Sequence, residues 1–110
     1  MKMCKTSSLI SLAMKAGKVS SGEFQTEESV KRGKASLVII SKDASNNTRK
    51  KFENMCTFYN VECVIKFSKE ELGLMIGREF RACLSVNDQG FAQSIKNKLL
   101  LMTQDSMEDK

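Results

Sequence analysis

Apolar residues recur at helical spacing in several stretches of the chain, and glycines or cap residues bound these stretches. Thr6 and Ser7 are N-cap candidates for a first helix, and Gly17 is placed to end it. We predict a second helix over residues 23–32, a third over 48–60, and a short fourth helix opened by a Ser68–Glu71 capping box. The apolar positions that define the first, third and last helices are Leu9, Leu12, Ala13 and Ala16; Phe52, Met55, Cys56 and Tyr59; and Phe91, Ile95, Leu99 and Met102.

Extended stretches alternate with these helices. They cover residues 18–21, 37–40, 61–67 and 82–86, and the second is a continuous apolar run typical of a central strand covered on both faces. The alternating order predicts an α/β fold, a three-layer α/β/α sandwich around a central mixed four-stranded sheet. We expect a single domain over residues 1–103 and a polar, frayed tail over residues 104–110.

The composition argues against an enzyme. The 110 residues contain no histidine, which removes the commonest general base and metal ligand, and no glycine-rich phosphate loop follows a strand. Within residues 1–103, adjacent carboxylates occur at Glu27-Glu28 and Glu70-Glu71, where the dipole of a predicted helix N-terminus explains them. We therefore expect no catalytic residues, no metal site and no cofactor.

The cysteines and the N-terminus bear on the cellular compartment. Cys4, Cys56, Cys63 and Cys83 form no CxxC pair, and the last three fit small buried apolar positions. The N-terminus has lysines but no apolar stretch typical of a signal peptide, and no apolar run approaches the ~20 residues of a membrane span. These features predict a cytoplasmic protein that does not enter a membrane.

The charge is unevenly distributed. The chain carries 18 basic and 13 acidic residues, for a net charge of +5, and no acidic residue precedes Glu23. Without residues 105–110 the balance is 17 basic to 10 acidic, or +7. A domain with this excess of positive charge favours a polyanionic partner, most often nucleic acid, although a soluble basic protein without such a partner has the same balance of charges.

Polar and basic residues fall where the predicted strands meet their loops. Gly22–Gln25 and Ser41–Asp43 follow strands, so we expect both at one edge of the sheet, beside helix N-termini that offer N–H groups to phosphates. The loop entering the last strand contains Arg78 and Arg81 around Phe80, a pattern suited to phosphate contact and base stacking. Phe80 could equally belong to the core, with Arg78 solvated.

Several motifs resemble one family. Residues 30–44 closely resemble the R-G-K-A-x-L-V-I-I-A-x-D signature of the ribosomal protein L7Ae family, which comprises kink-turn RNA-binding proteins. Glu71-Leu72-Gly73 with Gly77 looks like the family's E-L-G-x-x-x-G element. Residues 9–22 and 80–92 are similar to its bacterial YlxQ-like branch. The resemblance covers residues 6–96 and implies a non-catalytic RNA-binding α/β/α domain.

The resemblance also implies a binding site. Members of the family bind RNA through the loop and the start of the helix that follow the first strand. The sequence pattern there is G-x-N-E-x-x-K or, in bacterial relatives, G-x-K-Q-x-x-K. Gly22 and Gln25 fit this pattern, whereas Phe24 replaces the Asn or Lys and Glu28 replaces the final Lys. A glutamate repels phosphates and only accepts hydrogen bonds. The expected RNA-binding residues are Gly22, Glu23, Phe24, Gln25, Glu28, Lys42, Asp43, Arg78, Phe80 and Arg81.

Two functions are consistent with this sequence. The first is recognition of a kink-turn-like element in structured RNA, ribosomal or other, by a monomer that could associate with the ribosome. The second is a protein-interaction or assembly module that keeps the fold but has lost specific RNA contacts.

Overall fold

The computed structural model describes residues 5–108, which form five helices and four strands. The elements are α1 (Lys5–Lys15), β1 (Val19–Ser21), α2 (Glu23–Lys31), β2 (Leu37–Ile40), α3 (Asn46–Tyr59), β3 (Glu62–Ile65), α4 (Lys69–Met75), β4 (Cys83–Val86) and α5 (Gln89–Glu108). The predicted alternation of helices and strands is confirmed. Cys4 lies outside the described residues.

The strands form a mixed sheet in the order β1-β4-β2-β3. β4 lies between β1 and β2 and runs antiparallel to both, while β2 and β3 are parallel. β1 and β3 are therefore the edge strands, and the start of β4 lies at the edge where β1 and β2 end. This confirms the mixed four-stranded sheet.

The alternating side chains of the central strands build one core on each face of the sheet. Leu37, Ile39, Leu84 and Val86 pack with residues of α1, α4 and α5. Val38, Ile40 and Cys83 pack on the opposite face with Val30 of α2 and Phe52 of α3. Helices therefore cover both faces, and the three-layer sandwich is confirmed.

The first helix differs from its prediction. Thr6 and Ser7 are not N-caps, because α1 already begins at Lys5 and both residues are buried within it. The buried positions include Ile10 and Ala13, whereas Leu12 is 54% exposed. The helix is apolar on more than one side, so spacing alone did not identify the face that packs.

The other helix ends follow their sequence signals more closely. Ser68 and Glu71 form the predicted capping box at the start of α4. Ser45 caps α3, which therefore begins two residues before the predicted position, at Asn46. The last helix runs on to Glu108, so the backbone of residues 104–108 is helical where we expected a frayed tail.

The cysteines occupy the core beneath α3. Cys56 and Cys83 are buried, and Cys63 is partly buried against the same cluster. Burial raises the pKa of the Cys83 thiol to about 11. These positions agree with the prediction of small apolar residues.

Candidate nucleic-acid interface

Three chain segments meet at the edge of the sheet where β1 and β2 end. The N–H of Gly22 donates to the Cys83 carbonyl at 2.9 Å, and the N–H of Ser41 donates to the Ala82 carbonyl at 2.8 Å. Because β4 is antiparallel, the loop that enters it lies beside the loops that leave β1 and β2. We call residues 22–25, 42–43 and 78–81 the strand-end surface. It contains every predicted site residue except Glu28.

Gly22 joins β1 to α2 in a conformation that favours glycine. Its φ is 87° and its ψ 163°, and it supplies no side-chain cap to α2. A Cβ here would lie 4.0 Å from Cδ of Arg81, an ordinary contact, so backbone conformation limits substitution more than space does. The next three side chains, Glu23, Phe24 and Gln25, are exposed.

Arg81 is held in place at this surface. Its Nε donates to Oγ of Ser21 at 3.4 Å, and its Nη1 donates to the Phe80 carbonyl at 2.8 Å. A guanidinium fixed in this way loses little freedom when it binds a phosphate. Sequence reasoning missed Ser21, because its role depends on the pairing of β1 with β4.

Two aromatic rings flank Arg81. Phe80 is 64% exposed and Phe24 is 70% exposed, so the interpretation of Phe80 as a core residue is wrong. Both rings line a groove of about 410 Å³ together with Ser21–Gln25, Arg81 and Ala82. The groove thus combines two exposed aromatic faces, the Arg81 cation, the Glu23 carboxylate and the start of a helix.

The shape of the loop before β4 is set by α4. The N–H of Arg78 donates to the Gly73 carbonyl at 2.8 Å, and the N–H of Arg81 donates to the Lys69 carbonyl at 3.1 Å. These bonds fold residues 78–81 back over α4 and leave the Arg78 side chain exposed. Gly73, part of the motif noted in the sequence, is therefore a structural determinant of the loop.

Lys42 and Asp43 follow β2 but have different roles. Lys42 is exposed, and its N–H donates to the Phe67 carbonyl at 2.7 Å. Oδ1 of Asp43 accepts the backbone N–H of Lys69 at 2.9 Å, which ties this loop to the start of α4. Desolvation raises the pKa of Asp43, but hydrogen bonds, chiefly from the Lys69 and Asp43 backbone N–H groups, and the Lys69 charge together outweigh it and lower the pKa below its usual value. Asp43 thus has an internal structural role.

The acidic residues of α2 contact basic or hydroxyl side chains. Oε1 of Glu28 lies 3.3 Å from Nε of Arg32, one turn later on the same helix. Glu27 contacts Nζ of Lys31 at 2.6 Å and of Lys51 at 2.9 Å, which lowers its pKa to about 2. Oε2 of Glu23 accepts from the Thr48 hydroxyl at 3.4 Å. We predicted that Glu27 and Glu28 interact with the helix dipole. In the structure their main partners are the basic side chains of Lys31, Lys51 and Arg32.

Among the side chains of residues 6–101, no group of three His, Cys, Asp or Glu is arranged to hold a metal ion. The helices described here include none with the length and apolar character to cross a membrane.

Comparison with known families agrees with the motifs. A model of the ribosomal protein L7Ae/L30e/S12e/Gadd45 family matches residues 5–96. The chain belongs to this family. It is 40% identical to the RNA-binding protein YlxQ of Enterococcus faecium over 92 residues, which cover 84% of this chain and 88% of that protein.

Other relatives extend the comparison. The YlxQ protein of Bacillus subtilis is 40% identical over 87 residues, with 79% of this chain and 87% of the relative covered. The large ribosomal subunit protein eL30 of Trypanosoma brucei brucei is 34% identical over 84 residues, which cover 74% of this chain and 79% of that protein.

Solved structures share the fold. A Bacillus halodurans protein superposes with a TM-score of 0.83 at 33% identity, covering 86% of this chain and 96% of that one. The Giardia lamblia 15.5kD RNA binding protein superposes with a TM-score of 0.73 at 23% identity, covering 83% and 82% of the two chains. The second likeness concerns the fold alone.

Proposed function

We propose that this protein binds structured RNA through the strand-end surface, without catalysing a reaction. The observation that carries the proposal is the meeting of Phe24, Phe80 and Arg81 around one groove at the start of α2. Exposed aromatic rings stack on unpaired bases, and a fixed guanidinium contacts phosphate. Membership of a family with relatives named as RNA-binding proteins supports the same conclusion.

We further propose that the RNA contains a kink-turn-like element, in which bases leave the regular stack. Double-stranded RNA hides its base edges in a narrow major groove, so a surface with two exposed phenylalanines is better suited to a distorted or looped element. Phe24 offers a stacking face where the family pattern has Asn or Lys. Recognition at this position therefore relies on stacking more than on hydrogen bonds to base edges.

We also propose that the protein is a cytoplasmic monomer and that ribosomal RNA is among its ligands. A ribosomal relative, eL30, supports the second point. Sedimentation of a cell extract tests it, since a ribosome-bound protein travels with a ribosomal subunit and leaves it when the salt concentration is raised.

The binding test compares a kink-turn RNA with a plain duplex of equal length over a salt series. We expect preference for the kink-turn RNA and a steep fall in affinity with salt. Replacing Arg78 and Arg81 by alanine is expected to weaken binding and flatten the salt slope by up to about one unit for each phosphate that the variant no longer binds. The control is Lys66→Ala with Lys96→Ala, which removes two positive charges beside the edge strand β3 and also the ion pair of Lys96 with Glu62 at 3.6 Å.

A protein-interaction module on the same fold predicts a different result. It gives no preference for the kink-turn RNA and no steep salt slope. If the folded wild-type protein behaves in this way, RNA binding through the strand-end surface is wrong.

A further inference from the structure

Two cysteine side chains meet between α3 and β3. Cys56 lies in the last turn of α3, and Cys63 is the second residue of β3. Both pack in the core cluster beneath α3, and both are free thiols. The thiol of Cys63 donates a hydrogen bond to Sγ of Cys56. The two sulfur atoms are therefore direct neighbours that no bond joins.

The turn between α3 and β3 creates this contact. Asn60 ends α3 with a φ of 59°, and the N–H of Val61 donates to the Cys56 carbonyl at 2.8 Å. The chain thus returns to Cys56 two residues before Cys63. Side chains alternate along β3, so Cys63 packs toward α3 and Val64 packs on the other face of the sheet. A disulfide requires Cα atoms about 7 Å apart or closer, and a chain reversal of this kind favours that approach.

The cysteine pair borders an open groove. Cys56 and Cys63 line a groove of about 540 Å³ between the end of α3 and the edge strand β3, which we call the α3–β3 groove. Cys63 is partly exposed, whereas Cys56 is 1% exposed. A small oxidant in the groove therefore reaches Cys63 first and finds Cys56 behind it. An accessible thiol beside a second, resolving thiol is the arrangement of redox-sensing cysteines.

The hydrogen bond makes the two thiols unequal. It stabilises negative charge on Cys56, outweighs the effect of burial and lowers the pKa of the Cys56 thiol. The same hydrogen bond, together with burial, raises the pKa of Cys63. The pair therefore ionises by losing one proton, and the other proton lies between the two sulfurs. Transfer of this proton to Cys56 leaves the thiolate, which is the nucleophile, on the sulfur that borders the groove.

Cys83 belongs to the same core cluster but differs from the pair. It is fully buried and lies outside the lining of the α3–β3 groove. Burial raises its pKa to about 11, although the nearby Thr26 hydroxyl opposes this rise. A buried thiol with a raised pKa forms little thiolate and reacts slowly. Cys83 therefore serves as an internal control for the reactivity of the pair.

We propose that Cys56 and Cys63 form a redox site, at which a peroxide generates a reversible intramolecular disulfide. The Cys63 thiolate attacks one oxygen of hydrogen peroxide, so that an S–O bond forms and the O–O bond breaks. The second oxygen leaves as hydroxide and takes up the proton that the pair released, which gives water. Sγ of Cys56 then attacks Sγ of Cys63, the S–S bond forms, and the S–O bond breaks. A second water leaves with the proton of Cys56. The two thiols lose two electrons, and the peroxide gains them.

The disulfide connects the end of α3 to β3. A dithiol reductant returns the pair to two thiols, and in a reducing compartment a disulfide of this kind is transient and senses oxidants. Because β3 is parallel to β2, Cys63 at its start lies at the end of the sheet opposite to the strand-end surface. The redox site is therefore independent of the proposed RNA-binding function, and its test requires no RNA.

The test is peptide mapping of the folded, reduced protein after treatment with hydrogen peroxide and alkylation of the remaining thiols. Trypsin cleaves after lysine and arginine, so Cys56 and Cys63 share the peptide 52–66, and Cys83 lies in the peptide 82–96. We expect peptide 52–66 to become two hydrogen masses lighter and to lose both alkylation sites, and dithiothreitol to restore them. Cys83 should react at least about ten times more slowly than the pair.

Two variants assign the reaction to the pair. Cys63→Ser changes a partly exposed position, so the variant should fold, form no intramolecular disulfide and keep Cys56 reduced. Cys83→Ala is the matched control, since it removes a thiol from the same core and should leave disulfide formation at the wild-type rate. Circular dichroism verifies the fold of both, and the wild-type map decides the question even where a variant does not fold.

Three results would overturn the proposal. The first is a peptide 52–66 that keeps two free thiols while the folded protein is exposed to peroxide. The second is oxidation of Cys63 to a sulfinic acid without a disulfide, which would show that Cys56 does not reach it. The third is a disulfide from either cysteine to Cys83 or Cys4 in place of the bond within the pair.

Discussion

Gly73 lies so close to Glu79 that a Cβ on the glycine would sit 1.2 Å from the Glu79 carbonyl oxygen and 2.4 Å from its carbon. Real Cβ atoms do not approach a backbone this closely, so any side chain at this position must displace the loop that carries Arg78, Phe80 and Arg81. One glycine in α4 therefore allows the chain to fold back toward the strand-end surface.

The first prediction is that Gly73→Ala impairs both stability and RNA binding. The backbone must shift to admit the methyl group, and overpacking of this kind costs about 1–3 kcal/mol, sometimes more. RNA affinity should fall as well, because Phe80 and Arg81 move with the loop. Chemical denaturation measures the first effect, and RNA titration of the folded fraction measures the second.

Gly90→Ala is the control for this substitution. Gly90 lies in the first turn of α5, where the nearest atom to an added Cβ is Oδ2 of Asp88, at 3.2 Å. This is a side-chain atom and not backbone, and it accepts the Phe91 N–H at 2.9 Å, so a small shift of the carboxylate admits the methyl group. We expect a change in stability below about 1 kcal/mol and unchanged RNA affinity. Equal behaviour of the two variants would show that the closeness of Gly73 to Glu79 does not determine the loop.

Local sequence signals explain much of the fold. The apolar run at Leu37–Ile40 and the capping box at Ser68 predict elements that the structure contains, because both depend on residues adjacent in the chain. The buried face of α1 was predicted only in part: Ala13 is buried and Leu9 packs against the core, but several faces of this helix are apolar, and only packing against the sheet selects Ile10 over Leu12.

The site was less predictable than the fold. Its residues come from loops whose proximity depends on the antiparallel placement of β4 between β1 and β2, which no local pattern encodes. The hydrogen bond from Arg81 to Ser21 and the use of Asp43 by the Lys69 N–H both follow from that topology. Residue types indicated a polar edge, but not which side chains remain available to a ligand.

The second prediction concerns base stacking. Phe80→Ala should weaken RNA binding by about 1–3 kcal/mol, or roughly five- to 150-fold, if its ring stacks on a base. Stability should change by less than about 0.5 kcal/mol, because the ring is largely exposed. Phe58→Ala is the control, since Phe58 is 80% exposed near the end of α3 and lies outside the strand-end surface. Titration by fluorescence anisotropy compares them, and equal affinities would exclude stacking on Phe80.

The third prediction concerns acid sensitivity between α2 and α3. The pKa of Glu27 is lowered from 4.5 to about 2 by hydrogen bonds from Lys31 and Lys51. A carboxyl whose folded pKa is depressed stabilises the protein fully above its unfolded pKa and loses this contribution as the pH falls toward the folded pKa. Glu27→Gln should therefore be destabilised near neutral pH, by less than about 1 kcal/mol because the pair is partly exposed.

The difference in stability between wild type and Glu27→Gln should then shrink as the pH falls from about 4.5 to about 2. Thermal denaturation over this range measures it. Glu53→Gln, an exposed change on α3, should show a smaller difference that varies less over the same interval. If the difference in stability between wild type and Glu27→Gln stays constant down to pH 2, the ion pairs with Lys31 and Lys51 do not stabilise the fold.

The last prediction concerns the family departure at Glu28. Its carboxylate lines a groove of about 670 Å³ between β1 and α2 and is paired with Arg32 at 3.3 Å, so phosphates approaching there meet an ion pair instead of two cations. Glu28→Lys should strengthen kink-turn binding by about 1–2 kcal/mol, or roughly tenfold, because it converts repulsion into attraction at a partly exposed site. It also places like charges one helical turn apart, which costs α2 a few tenths of a kcal/mol.

Glu53→Lys supplies the same change in net charge on the exposed face of α3, so it measures the contribution of overall charge alone. Titrations of both variants at several salt concentrations decide the matter: a gain for Glu28→Lys no larger than that for Glu53→Lys would mean that RNA does not approach this face of α2.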